Sequence, residues 1–374
     1  MAQHDSVQTL CYVVLISIIA ASNFVLIPVN VQLILSATSI VYIGATLSLK
    51  LKHKREAAGE KNEDAMTKED AYMFPVIGSA MLLGLYLAFK FFDKEVVNLL
   101  LTTYFALIGT YSLTDAFSPI VRQVAFSENE SHFVRKFTLP YFGLKTLDLT
   151  ASWVVTGVLA AIFAAAWFQT KHFVLNNIFA TSLAIKGIES LSLGSYKVGA
   201  ILLVGLFFYD IFWVFGTDVM VTVATKFDGP IKLLFPRVFA TATEKAKFSL
   251  LGLGDIVIPG IFVALLLRFD AFRAGVTHDD QPFARPYFHV NVLFYVLALV
   301  ATVIVMVFFN HAQPALLYLV PGCLGSSLIQ GLVRGELKEL LAYSEEDEED
   351  KKVDDKKVED KKVEDKKVED KKSK

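Results

Sequence analysis

Two aspartates stand where the chain is otherwise fit for hydrocarbon. Asp210 lies in Phe207-Phe208-Tyr209-Asp210-Ile211-Phe212-Trp213, and Asp255 in Leu251-Gly252-Leu253-Gly254-Asp255-Ile256-Val257. A carboxyl at membrane depth is costly, and an ionisable residue there is a functional candidate by default. Neither aspartate has a basic residue within one helical turn. Held together, two such carboxyls share one proton and titrate as a unit. The ionised member can take a proton from water while the protonated member hydrogen-bonds the carbonyl under attack, which is peptide hydrolysis. That chemistry needs water at depth, so the pair must line a polar cavity. A proton relay or an ion site in a transporter would use the same two groups, and spacing alone leaves both readings open. Lys186 and Glu189 also fall inside a span, but at i,i+3 they can neutralise each other across one turn.

The elements that must position these groups are membrane helices. Crossing a bilayer takes about 20 mostly apolar residues. Nine stretches meet this: Val31–Leu49, Met73–Phe92, Val96–Phe117, Ala151–Phe168, Phe173–Leu193, Val198–Met220, Ser249–Leu267, Phe288–Phe309 and Pro314–Val333. Val7–Val29 is a further candidate, as an extra span, an anchor or a re-entrant piece. The basic loops Lys50–Lys68 and Ser118–Thr150 read as cytosolic by the positive-inside rule, which puts the C-terminus in the cytosol as well. The basic loop Thr225–Phe248 dissents, because the count places it in the lumen. The sequon Asn129-Glu130-Ser131 falls on the cytosolic side and is expected to carry no glycan. Asp210 and Asp255 each lie 12 residues from the cytosolic end of antiparallel spans, about 18 Å deep, so they can face each other. Gly252 and Gly254 let another backbone come close, and Pro259 cannot donate to the carbonyl of Asp255 four residues earlier. Both features suit an extended peptide substrate.

Composition narrows the alternatives. The 374 residues are 54% hydrophobic and 20% charged, with a net charge of -2. The 30 positions from Glu345 to Lys374 hold 14 acidic residues and 11 lysines. The rest is about 14% charged, against roughly 25% in a soluble domain. No basic surplus exists to neutralise phosphates, so nucleic acid is excluded as a partner. The two cysteines, Cys11 and Cys323, build neither a disulfide framework nor a metal site. No His-Glu-x-x-His or Gly-x-Ser-Gly run is present, which argues against zinc and serine chemistry. The Lys-Lys-Val-Asp/Glu-Asp repeats from Lys351 to Asp370 form no apolar stripe and are expected to be disordered. The last four residues, Lys371-Lys372-Ser373-Lys374, have the form of a dilysine retrieval signal, with Lys371 and Lys372 as its two lysines.

Longer ordered runs carry a resemblance. Tyr209 to Thr217, Pro230 to Pro236, Leu251 to Asp270 and His311 to Pro321 are similar to the presenilin/signal peptide peptidase family of intramembrane aspartyl proteases, over roughly Phe74 to Tyr343. The resemblance implies an all-α polytopic fold of about nine spans in the endoplasmic reticulum membrane. It implies an aspartic endopeptidase that cuts signal peptides and other type II-oriented spans. Asp210 and Asp255 would be catalytic, without a cofactor. Tyr209, Gly252, Leu253 and Gly254 would shape the site, and Pro314, Ala315 and Leu316 would shape it and hold substrate. Residue counting instead places Pro314 near the lumenal end of its span, away from the aspartates. The expected organisation is an N-terminal apolar segment (1–30), N-terminal transmembrane helices (31–195), catalytic transmembrane helices (196–335) and a cytosolic charged tail (336–374). Expected partners are transmembrane signal-peptide substrates, lipid and further copies of the same chain. A proton-coupled transporter and a non-catalytic holder of membrane helices are the alternatives from other classes.

Overall fold

A computed structural model describes residues 2–59, 65–125, 132–139, 143–238, 247–278, 281–309 and 313–345. The sequon at Asn129, the repeats of the tail and the lysine pair Lys371 and Lys372 lie outside the described residues. The long helices are α1 (Ala2–Ala21), α2 (Val29–Ala58), α3 (Lys68–Phe91), α4 (Lys94–Ala125), α5 (Ala151–Thr170), α6 (Phe173–Ser190) and α7 (Tyr196–Phe215). After the short α8 (Val219–Lys226) come α9 (Gly254–Arg273), α10 (Pro286–Phe309), α11 (Leu316–Arg334) and a last short turn, α12 (Leu337–Ala342). The helices are punctuated as their sequences dictate. Thr67 and Asp70 form a reciprocal capping box ahead of α3, and the Ser195 hydroxyl caps α7.

Among the described residues, seven helices (α2, α3, α4, α5, α7, α10 and α11) are long and apolar enough to cross a membrane. The other two expected spans correspond to α6 and α9. These carry Asn176, Asn177, Lys186 and Glu189 in one case, and Asp255, Arg268 and Asp270 in the other. Burial explains the difference. Helix α9 packs on α2, α6, α10 and α11, and from Pro259 to Ala271 its side chains are buried. The helices around it turn large apolar residues outward, among them Met81, Leu107, Ile162 and Phe308. An apolar exterior around a more polar centre is what a bilayer selects. Where α2, α6 and α9 meet, Ile188 fills the space left by two glycines. A Cβ on Gly260 would stand 2.5 Å from Ile188 Cδ1, and one on Gly44 2.7 Å from Ile188 Cβ.

Two antiparallel hairpins interrupt the helical pattern. β1 (His132–Leu139) pairs with β2 (Gly143–Thr150), and β3 (Lys232–Val238) pairs with β4 (Lys247–Gly252). The second corrects the expected span Ser249–Leu267: Ser249 to Gly252 belong to a strand, and the helix begins only at Gly254. A short run of Leu and Ser reads equally as buried strand or helix, so hydropathy alone could not separate them. Two lysines of the dissenting basic loop are tied to backbone beside this hairpin. Lys232 Nζ donates to the carbonyls of Ala224 and Phe227 at 2.8 and 2.9 Å, and Lys226 Nζ to that of Phe89 at 3.5 Å. These two lysines bond backbone carbonyls, while Arg237 and Lys247 of the same loop are exposed.

Candidate active site

Asp210 sits three-quarters of the way along α7 and is 3% exposed. Its Oδ2 accepts a hydrogen bond from the backbone N–H of Leu316 at 3.0 Å. Leu316 is the first residue of α11, whose N-cap, Ala315, supplies no side-chain bond. The first N–H groups of a helix have no partner within it and carry the positive end of its dipole. The carboxyl of Asp210 fills that vacancy. This overturns the residue count that put Pro314 away from the aspartates. Residues 313–315 are not helical, so the chain reaches α11 at depth and does not start it at the membrane boundary. Pro314 suits the place, because the missing N–H falls where no intrahelical bond is needed.

Asp255 stands in the first turn of α9, directly after β4. The glycines therefore act differently from a loosened helix. Gly252 ends the strand and Gly254 opens the helix, with Leu253 as the junction between them. A Cβ at Gly252 would lie 3.5 Å from Asp255 Oδ2, so the residue keeps the approach to the carboxyl open. Pro259 does leave the Asp255 carbonyl without its helical donor. The hydroxyl of Tyr295, on α10, takes that position at a long 3.5 Å. Asp255 also lies within electrostatic range of Asp210, across the gap between α9 and α7. The two aspartates thus stand on helices that touch each other, α7 and α9. Leu316 and Tyr295 are the groups that hold their backbone and side-chain surroundings.

Tyr209 points elsewhere. Successive helical residues differ by about 100° in direction. Its ring lies 3.6 Å from where a Cβ on Gly78 of α3 would be and pairs with Trp213 at 6.3 Å. No hydrogen bond joins its hydroxyl to Asp210, so it packs α7 on α3. Lys186 does meet Glu189, at 3.3 Å, and also bonds Asp115 of α4. Asp115 falls in the last residues of its expected span, where a charge is no signal of a buried role. This is a partly exposed ion cluster joining α6 to α4.

The hairpin beside Asp255 has one edge already occupied. The side chain of Asn177 on α6 bonds both the N–H and the C=O of Leu234, each at 2.8 Å, as a neighbouring strand would. Asn176 takes the carbonyl of Lys232 at 2.9 Å. In an antiparallel pair, residues alternate between facing the partner and facing away. Since Leu234 faces α6, its register partner Leu250 faces the opposite edge, and so does Gly252. Leu250 is 54% exposed. Among the described residues nothing pairs with that edge. Nothing in single-sequence periodicity pointed to Asn176 and Asn177, whose only signal was two amides at the start of an apolar span.

Residues 58–347 match the family described as signal peptide peptidase. The chain is 39% identical over 332 residues to the signal peptide peptidase of Homo sapiens, covering 85% of this chain and 84% of that protein. It is 40% identical over 335 residues to the Mus musculus protein, with the same coverage. A probable intramembrane protease of Schizosaccharomyces pombe is 36% identical over 316 residues, covering 84% of this chain and 94% of the relative. A bundle of helices long and apolar enough to cross a membrane, matched along this much of its length, belongs to the signal peptide peptidase family of intramembrane proteases.

Proposed function

We propose that the chain is an aspartic endopeptidase that uses Asp210 and Asp255 as a proton-sharing pair. Its substrates are signal peptides and other type II-oriented spans, cut within the endoplasmic reticulum membrane. The observation that carries this reading is the convergence of three elements on one point. Asp210 is held by the first amide of α11, Asp255 opens α9, and the free edge of β4 ends three residues before Asp255. A peptide bond inside a helix is shielded, so a membrane helix must be drawn out before it is cut. An open strand edge can hold the unwound stretch through main-chain bonds, whatever its side chains.

The chemistry then runs on groups of this chain. The ionised carboxylate removes a proton from a water molecule, and the water oxygen attacks the carbonyl carbon. The protonated carboxyl stabilises the developing oxyanion by hydrogen bonding. A proton passes to the leaving nitrogen, the C–N bond breaks, and a new carboxyl and a new amine result. Location and orientation follow the same reading. The ends of α2, α6, α9 and α11 that carry Lys52, Gly194, Arg273 and Glu336 gather on one side of the bundle, which we take as cytosolic. The dilysine form of Lys371 and Lys372 suits retrieval to the endoplasmic reticulum from that side.

The test is cleavage of a synthetic signal peptide by the purified chain in detergent. The wild type is expected to yield two fragments, and Asp210→Ala and Asp255→Ala to yield none. Cleavage that persists in either variant contradicts the pair. After reconstitution into sealed vesicles, proton flux without cleavage would indicate a transporter, and in detergent binding without cleavage by the wild type would indicate a holding protein.

A further inference from the structure

The end of the bundle remote from the aspartates buries more charge than helix packing requires. Arg268 of α9 is 2% exposed, and Glu345, just beyond α12, is 3% exposed. Arg268 Nε donates to Glu345 Oε1 at 2.7 Å, and Nη1 to Ser48 Oγ of α2 at 2.6 Å. The Tyr343 hydroxyl donates to the same Oε1 at 3.1 Å, and Lys52 Nζ stands 3.6 Å from it. The backbone of this segment is stitched to the turn before α7. Tyr196 N donates to Tyr343 O at 3.2 Å, and Glu345 N to Gly194 O at 2.8 Å. Ser195 and Ser344 pair antiparallel between them. Gly194 is in turn bonded to Met66, so the segment adds a third layer to a small pad.

The geometry links this pad to the aspartates. Tyr196 begins α7, and Asp210 follows 14 residues later; Arg268 follows Asp255 by 13 residues on α9. At 1.5 Å per residue the two legs are about 21 and 20 Å long. Helices α7 and α9 touch each other sparsely, while α9 packs mainly on α2, α6 and α10. Their relative height is therefore set by third parties. Helix α11 does so near the aspartates through Leu316, and the segment 343–345 does so at the base. A buried ion pair contributes little net stability compared with apolar side chains of similar size, but its directed bonds fix one register.

We propose that Tyr343-Ser344-Glu345 is a positioning strap, in which the Arg268–Glu345 pair sets the height and rotation of the Asp255 helix against the Asp210 helix. The proposal rests on reading those two aspartates as the catalytic pair. Arg268 and Glu345 are positioning residues, since neither reaches the site.

The test compares four purified proteins on one signal peptide: the full chain, a chain ending at Glu345, a chain ending at Ala342, and the full chain with Arg268→Met and Glu345→Leu. The apolar double variant keeps the volume buried and the fold, while removing the directed bonds. Rates are taken per folded molecule, below the melting temperature. The chain ending at Glu345 is expected to keep kcat and KM within about twofold. The chain ending at Ala342 and the double variant are expected to lose about tenfold or more in kcat, with KM within about threefold. Full kcat in either of these overturns the strap, as does a loss that disappears on normalising to folded protein. A comparable loss in the chain ending at Glu345 also overturns it, because the determinant would then lie in the tail. If Asp210→Ala or Asp255→Ala still cuts, the catalytic reading beneath the proposal fails instead.

Discussion

Asp210 and Asp255 are held by different means. The first is pinned by a helix amide and the second by its place at a strand–helix junction. Both were legible in the sequence because a charge in an apolar run is conspicuous. Their partners were not. Leu316 acts through a backbone N–H and Tyr295 through a hydroxyl on a helix 40 residues away, and neither residue type signals that role. Glu345 was hidden for another reason. It opens the acidic run of the tail and read as one solvated charge among many, yet it is buried against Arg268. Burial alone would raise its carboxyl, but the charges of Arg268 and Lys52 and the hydrogen bonds from Arg268 and Tyr343 outweigh this and hold it below the ordinary glutamate value. The native state therefore favours the ionised form. That contribution to stability is complete at neutral pH and is lost as pH falls below the unfolded glutamate value of about 4.3 and through the lower native one. In thermal melts the wild type is expected to exceed Glu345→Gln in melting temperature at pH 7. The gap should close on acidification below about pH 4.5. A gap independent of pH would show that the charge of Glu345 is not what matters.

At the scale of elements, helices were legible from hydropathy and the β3–β4 hairpin was not. Leu250 and Leu251 look like hydrocarbon, and the residues that select a strand here are Asn176 and Asn177, more than 50 positions earlier in the chain. The edge left free by that arrangement has a specific test. The Leu250 N–H faces away from β3, so Leu250→Pro removes no bond of the hairpin, and proline is tolerated on an edge strand. The variant is expected to keep its melting temperature within a few degrees and lose about tenfold in kcat/KM. Unchanged kcat/KM would remove the edge from the account. The helix contacts around α9 make a second prediction. Gly260→Ala would push a methyl into Ile188 and is expected to cost about 1–3 kcal/mol. Adding Ile188→Ala removes Cδ1 and Cγ1, the atoms in the way, so Gly260→Ala should cost less in that background. Equal cost in both backgrounds would mean the strain lies elsewhere.

The whole molecule turns its apolar side outward and keeps its ionisable groups on the inner helices. Of the seven described helices that satisfy a membrane criterion by themselves, all but the largely buried α2 are mostly exposed. The two that do not satisfy it, α6 and α9, carry Lys186, Glu189 and Asp255, while Asp210 lies on the apolar α7. Hydropathy thus outlines the exterior well and describes the functional interior least well. The loop charges carried the expectation of orientation, with the 225–248 segment dissenting, and two lysines of that segment, Lys226 and Lys232, bond backbone carbonyls. The central claim is that Asp210 and Asp255 act together in hydrolysis. The most direct measurement follows binding and cleavage of one signal peptide by wild type, Asp210→Asn and Asp255→Asn in the same micelles. Asparagine keeps the shape and removes the proton-sharing pair. The account predicts that both variants bind within about threefold of wild type and cut at less than about one-thousandth of its rate. Cleavage by either variant within about tenfold of the wild-type rate would contradict it.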